Sequence, residues 1–128
     1  MFTRITGLPP STDPIDAVAS ILPTDDEVAT SWRVWLSVRA AALSDTELHD
    51  FHRQMYAEYE DGLRHQLGRF LEASPRDPTW CLDHLMAVID GVALRATLDR
   101  AAWPAERQRA HLVAAIATLS LPSEEDRA

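Results

Sequence analysis

Histidines, carboxylates and aromatic residues crowd the middle of this 128-residue chain, and their spacing limits the chemistry open to them. His49 and His52 stand three apart and Asp61 and His65 four apart, which places each pair on one face of a helix. A metal site carried by helices asks for more. Neither Glu-x-x-His nor His-Glu-x-x-His occurs, so these pairs read as a solvated helix face, and no metal or cofactor is expected. Gly7, Gly62, Gly68 and Gly91 build no Gly-x-Gly or phosphate loop, and there is no Gly-x-Ser-x-Gly elbow. Cys81 has no base beside it in sequence and reads as a packed thiol. No catalytic residue is assigned, and the chain is not expected to be an enzyme.

What remains is binding. Trp32, Trp35, Met55, Tyr59 and Met86 are large, polarizable or polar-tipped side chains, which line irregular apolar cavities more readily than leucine does. Arg39, one turn beyond Trp35, and His52, beside Phe51, interrupt apolar stripes with groups able to orient a ligand. The expected ligand-binding set is therefore Trp32, Trp35, Arg39, His52, Met55, Tyr59 and Met86, taking a small, mostly apolar effector with one acidic or acceptor end. Each member also has a plainer reading. The aromatics and methionines serve as core, Arg39 snorkels to a rim and pairs with a carboxylate, and His52 is a satisfied core or rim histidine. Asp90, set in an apolar helix beside Gly91, reads as a solvated edge or an interhelical hydrogen bond.

The elements that must position these residues are all helical; no segment alternates with period two. Residues 1–12, with Pro9-Pro10, show no helical period and read as an unstructured lead-in. Asp13-Pro14 opens a short helix that stops before Pro23. Thr24-Asp-Asp-Glu27 and Ser44-Asp-Thr-Glu47 read as capping boxes, the first opening a helix to about Leu43 with Val28, Trp32, Trp35, Leu36, Arg39 and Leu43 on one stripe. The second opens a helix over 45–72, roughly 40 Å long, with Leu48, Phe51, His52, Met55, Tyr59, Leu63, Leu67 and Phe70 inward. Asp77-Pro78 starts a fourth helix over 78–98 and Pro104 a fifth over 104–119. The result is an all-α, five-helix bundle spanning 13–120, followed by a polar tail, 121–128.

The last two helices are apolar on two faces. Beside its leucine and isoleucine face, the fourth carries His84, Ala87, Val88 and Gly91; the fifth carries Ala110, Ala114 and Ala117. A spare, small-residue face on two successive helices suits close packing against a second copy, so a homodimer through these residues is expected.

Composition narrows the partners. The chain carries twelve basic residues, all arginine, against twenty acidic ones, a net charge of −8. That balance opposes binding to a phosphate backbone and lacks the basic face of a membrane-surface helix. One cysteine excludes an intrachain disulfide, Met1–Pro10 has no signal-peptide pattern, and no run approaches the ~20 apolar residues of a membrane span. A cytoplasmic location is expected.

Taken in order, Trp32-Arg-Val-Trp35-Leu36, Arg39-Ala-Ala-Ala-Leu43, Asp45-Thr-Glu47-Leu48, Leu85-Met-Ala-Val-Ile89-Asp90-Gly91-Val-Ala-Leu94 and Pro104-Ala-Glu106-Arg107 make a recognisable series. The chain resembles the C-terminal domain of TetR-family transcriptional regulators, in particular the betaine-choline-repressor-like subgroup, over about residues 13–120. The resemblance implies a small effector bound among the middle helices and dimerisation through the last two. Family members begin with a helix-turn-helix of about fifty residues. Residues 1–12 do not supply one, so direct nucleic-acid binding by this chain is not expected. The alternatives from other classes are a helical enzyme or metal-binding bundle using the His49/His52/His65 side, and a ligand-free dimerisation module.

Overall fold

The computed structural model describes residues 4, 5, 7–9 and 12–122. Within them the architecture is helical, with α1 Pro14–Ala19, α2 Asp26–Ala42, α3 Thr46–Gln66, α4 Gly68–Ala73, α5 Pro78–Leu98 and α6 Ala105–Leu119. The starts follow the aspartates. Asp13 accepts from the N–H groups of Ile15 and Asp16, and Asp77 accepts from Trp80, each with proline in the first turn. The two predicted capping boxes are corrected by one residue: the caps are Asp25, accepting from Val28, and Asp45, accepting from Leu48. A carboxylate is an acceptor only and carries a full charge toward the positive end of the helix, so it outcompetes the preceding hydroxyl. Glu27, freed from the box, pairs with Arg4 at 2.8 Å.

There are six helices among the described residues rather than five, because the long third helix breaks at Leu67 (φ −102°, ψ 12°). The α-helical bonding resumes with the Leu71 N–H donating to the Leu67 carbonyl. The break changes which side chain goes inward: Leu71 is 2% exposed, whereas Phe70 is only half-buried. Two other members of the expected stripes also turn outward, Leu43 at 90% and Phe51 at 48% exposed.

Helix α2 packs mainly on α3, α5 on α6, and α1 on α6, while α2 and α3 both rest on α5. Their shared core holds Val18, Ile21, Trp32, Tyr59, Leu63, Leu82, Leu85, Ile89, Leu112 and Leu119. Buried polar groups are tied into it. The Trp32 indole donates to the Ile21 carbonyl at 2.7 Å, joining α2 to the end of α1. Gln108, 1% exposed, donates to the Pro23 and Trp103 carbonyls at 3.2 and 2.9 Å, so one amide pins two loops.

The lead-in expected over 1–12 differs where it is described. Arg4 and Ile5 are helical, Ile5 is 1% exposed in the core, and Arg4 also holds Asp25 at 2.9 Å. An isolated isoleucine and arginine give no periodicity, so this docking left no local signal. The outer part of the predicted tail, 123–128, lies outside the described residues. No helix among the described residues is long and apolar enough to cross a membrane.

Candidate functional site

Three helices converge on a polar cluster at the edge of the core. From α2 come Trp35 and Arg39, from α3 His52, Tyr56 and Tyr59, and from α5 Asp90. The Arg39 guanidinium pairs with Asp90 at 3.3 Å, and the Tyr56 hydroxyl donates to the other carboxylate oxygen at 2.9 Å. The side chains of Arg39 and Asp90 are about one-fifth exposed (21% and 20%), so their attraction is less screened than that of a surface pair. Arg39 also lies over the rings of Trp35, Tyr56 and Trp32, at 5.1, 5.3 and 6.0 Å from their centroids. His52 stacks between Trp35 and Tyr56 at 4.9 and 5.6 Å, and Tyr59 meets Tyr56 edge-on.

This packing tilts the titrations. Burial, with the Arg39 charge adding to it, holds the His52 imidazole below its ordinary value, against the opposing pull of Asp90. Burial and the neighbouring Asp90 carboxylate push the hydroxyls of Tyr56 and Tyr59 above theirs, so both stay protonated donors. Two buried nitrogens in the cluster, Arg39 Nε and His52 Nε2, have no hydrogen-bond partner among the described residues.

Two hollows flank the Trp35–His52 stack. One, of about 410 Å³, lies between α2 and α3 against Val34, Trp35, Val38, Phe51 and Met55, with Thr30 and Ser31 at its edge. The other, of about 420 Å³, is lined by Arg39, Ala42, His49, His52, Tyr56 and Asp90, with Leu43 also on its wall. Both fall in the size range of small-molecule sites. Of the sequence-predicted ligand residues, Trp35 and Met55 line the first hollow, and Arg39 and His52 the second. Trp32, Tyr59 and Met86 do not line either; at 0%, 1% and 2% exposed they pack into the core beneath. The reason is depth. All three belong to the core cluster, whereas the first hollow opens along α2 and α3 and the second between them and Asp90 of α5.

Tyr56 and Asp90 were missed as site residues. Tyr56 carries a sequence signal, since it follows His52 by four positions and shares its helix face. Asp90 was legible only as an interhelical bond, because its partners lie 51 and 34 residues away in sequence. Among the described residues, no three His, Cys, Asp or Glu side chains gather in a way that could hold a metal ion. Cys81 is fully buried, 3.4 Å from the Ser74 hydroxyl.

The outer face of α5 and α6 is a separate surface. Ala87, Gly91, Ala110, Ala114 and Ala117 are exposed on it, with His84 and Val88 half-buried. Trp80, Leu94, Leu98 and Val113 add apolar area, at 44%, 43%, 78% and 42% exposed. Trp80 stacks flat on His84 at 5.2 Å, and a Cβ added at Gly91 would meet nothing within 4 Å.

No curated protein and no solved structure matches the chain. The family described as BetI-type transcriptional repressor, C-terminal, matches residues 16–121, which takes in every helix from α2 to α6 and the cluster they build. The chain belongs to the family of BetI-type repressor C-terminal domains.

Proposed function

We propose that this chain binds a small, mostly apolar effector at the α2–α3 seam and dimerises through α5 and α6, acting by binding rather than by catalysis. The observation that carries the reading is the cluster itself. Arg39, Tyr56 and Asp90 form a polar clasp beside aromatic walls and two open hollows, which is the composition of a ligand site. The clasp reaches α5 at Asp90, and the next residue, Gly91, stands on the exposed small-residue face. Occupancy of the seam and assembly through α5 thus act on adjacent positions of one helix.

The family supports the same division of labour, a regulatory domain that senses rather than reacts. With a net charge of −8, the polypeptide by itself is not a DNA reader in this account. A thermal-shift panel of flat aromatic compounds, neutral, acidic and cationic, tests the effector reading. A true ligand at 100 times its Kd adds about 2.7 kcal/mol, a shift of several degrees for a domain this size. A panel in which no compound raises the melting point overturns it.

A further inference from the structure

We infer that the two hollows are the ends of one site divided by the His52 ring, and that its ligand is an uncharged flat aromatic bearing one hydrogen-bonding group. The inference rests on the effector reading above and names the chemistry of that ligand. Continuity comes first. Trp35 walls the apolar hollow and stacks on His52, which walls the polar one, at 4.9 Å. Met55 and Tyr56, neighbours in sequence, line one hollow each. The imidazole is the partition, and it is only half-buried.

Charge comes second. Among the described residues no ionisable side chain lines the apolar end, and its two hydroxyls are spent on their own helix: Thr30 donates to the Asp26 carbonyl and Ser31 to that of Glu27. At the polar end, Arg39 is already neutralised by Asp90, and the Tyr56 hydroxyl is committed to the same carboxylate. An incoming carboxylate would sit beside Asp90 and compete with it for Arg39. An incoming ammonium would meet the Arg39 charge lying across the rings it would need. Either ion loses its hydration for a site whose charges are already matched.

The two unpartnered nitrogens say what remains to be recognised. Arg39 Nε can only donate, whereas a neutral His52 Nε2 donates or accepts according to its tautomer. Both are buried, so a ligand that moves the His52 ring uncovers them, and a hydroxyl on it accepts from Arg39 Nε or donates to His52 Nε2. The expected anionic or acceptor end of the ligand therefore becomes a neutral one.

Titration calorimetry of the full chain at pH 7.5 with 2-naphthol, 2-naphthoate and 2-naphthylmethylammonium tests this. The neutral naphthol is expected to bind at least about tenfold more tightly than either ion, the worth of one well-formed hydrogen bond. His52→Phe keeps a stacked ring and removes both nitrogens, so it should weaken naphthol about tenfold while circular dichroism shows the helices intact. Either ion binding as tightly as naphthol, or an unchanged affinity in His52→Phe, overturns the inference and leaves the effector reading standing. Failure of all three compounds also overturns it, and the wider thermal-shift panel then decides the effector reading separately.

Discussion

Asp90 illustrates how much a single side chain can matter without any motif around it. Its carboxylate takes Arg39 from α2 and Tyr56 from α3, so Asp90→Asn leaves a partly buried guanidinium without its counter-charge. Removing one partner of a fully buried pair costs several kcal/mol; with both side chains one-fifth exposed (21% and 20%) the cost should be about 2 kcal/mol, measured by urea unfolding. Tyr56→Phe loses one hydrogen bond to a charged acceptor and should cost about 1.5 kcal/mol. Because the two changes share Asp90, their effects should fall short of adding in the double variant. His52 gives the pH dependence. Its folded-state pKa lies below the ordinary 6.5, so on acidification the unfolded chain takes up a proton before the folded one does. Stability contributed by neutral His52 is therefore full above about pH 7 and is lost as pH falls through 6.5 and below. His52→Phe should flatten that part of the stability profile, and a fall of equal steepness in the variant would assign it elsewhere.

At the scale of elements, the helices were legible because each start carries its own punctuation. Asp13-Pro14 and Asp77-Pro78 fix two helix beginnings to the residue. The boxes at Thr24 and Ser44 were off by one because an aspartate follows each hydroxyl and both patterns fit the string. The break at Leu67 was not legible, since Leu63, Leu67 and Phe70 sustain the period through it and only Gly68 marks the place. Gly68 has open space where a Cβ would go and no positive φ, so Gly68→Ala should stabilise the protein by about 0.5–1 kcal/mol through the unfolded chain. A loss of stability would mean that the α3–α4 junction needs glycine. Gln108 shows the opposite case, a polar residue inside a helix face with no sequence signal for burial. Its amide holds the carbonyls of Pro23 and Trp103, so Gln108→Leu strands two acceptors and should cost about 2 kcal/mol.

For the whole molecule, the spare faces of the last two helices were visible as periodicity, and the aromatic surplus of the middle helices as composition. Depth was not visible. Trp32 and Trp35 lie three apart on one stripe, yet the first is sealed in the core by its bond to Ile21, and the second walls an open hollow. Distinguishing them required the seating of Ile21, in the turn after α1, against Trp32, a contact that no local pattern records. The assembly claim separates from stability at Gly91, where the isolated chain leaves room for a side chain. Gly91→Ala should raise helix stability by about 1 kcal/mol, whereas Gly91→Leu should leave the chain folded and sediment at the 14.3 kDa of one copy, against a wild-type dimer at micromolar concentration. Wild-type sedimentation as a monomer would contradict the dimer.

The central claim is that the α2–α3 seam, with its clasp to α5, receives a small molecule. Amide NMR spectra of the full chain, recorded during titration with the panel compound giving the largest thermal shift, test it most directly. The account predicts saturable shifts centred on Trp35, Arg39, His52, Tyr56 and Asp90, three helices responding together because one clasp joins them. Shifts confined to the exposed face of α5 and α6, with these five residues unmoved at saturation, would contradict it.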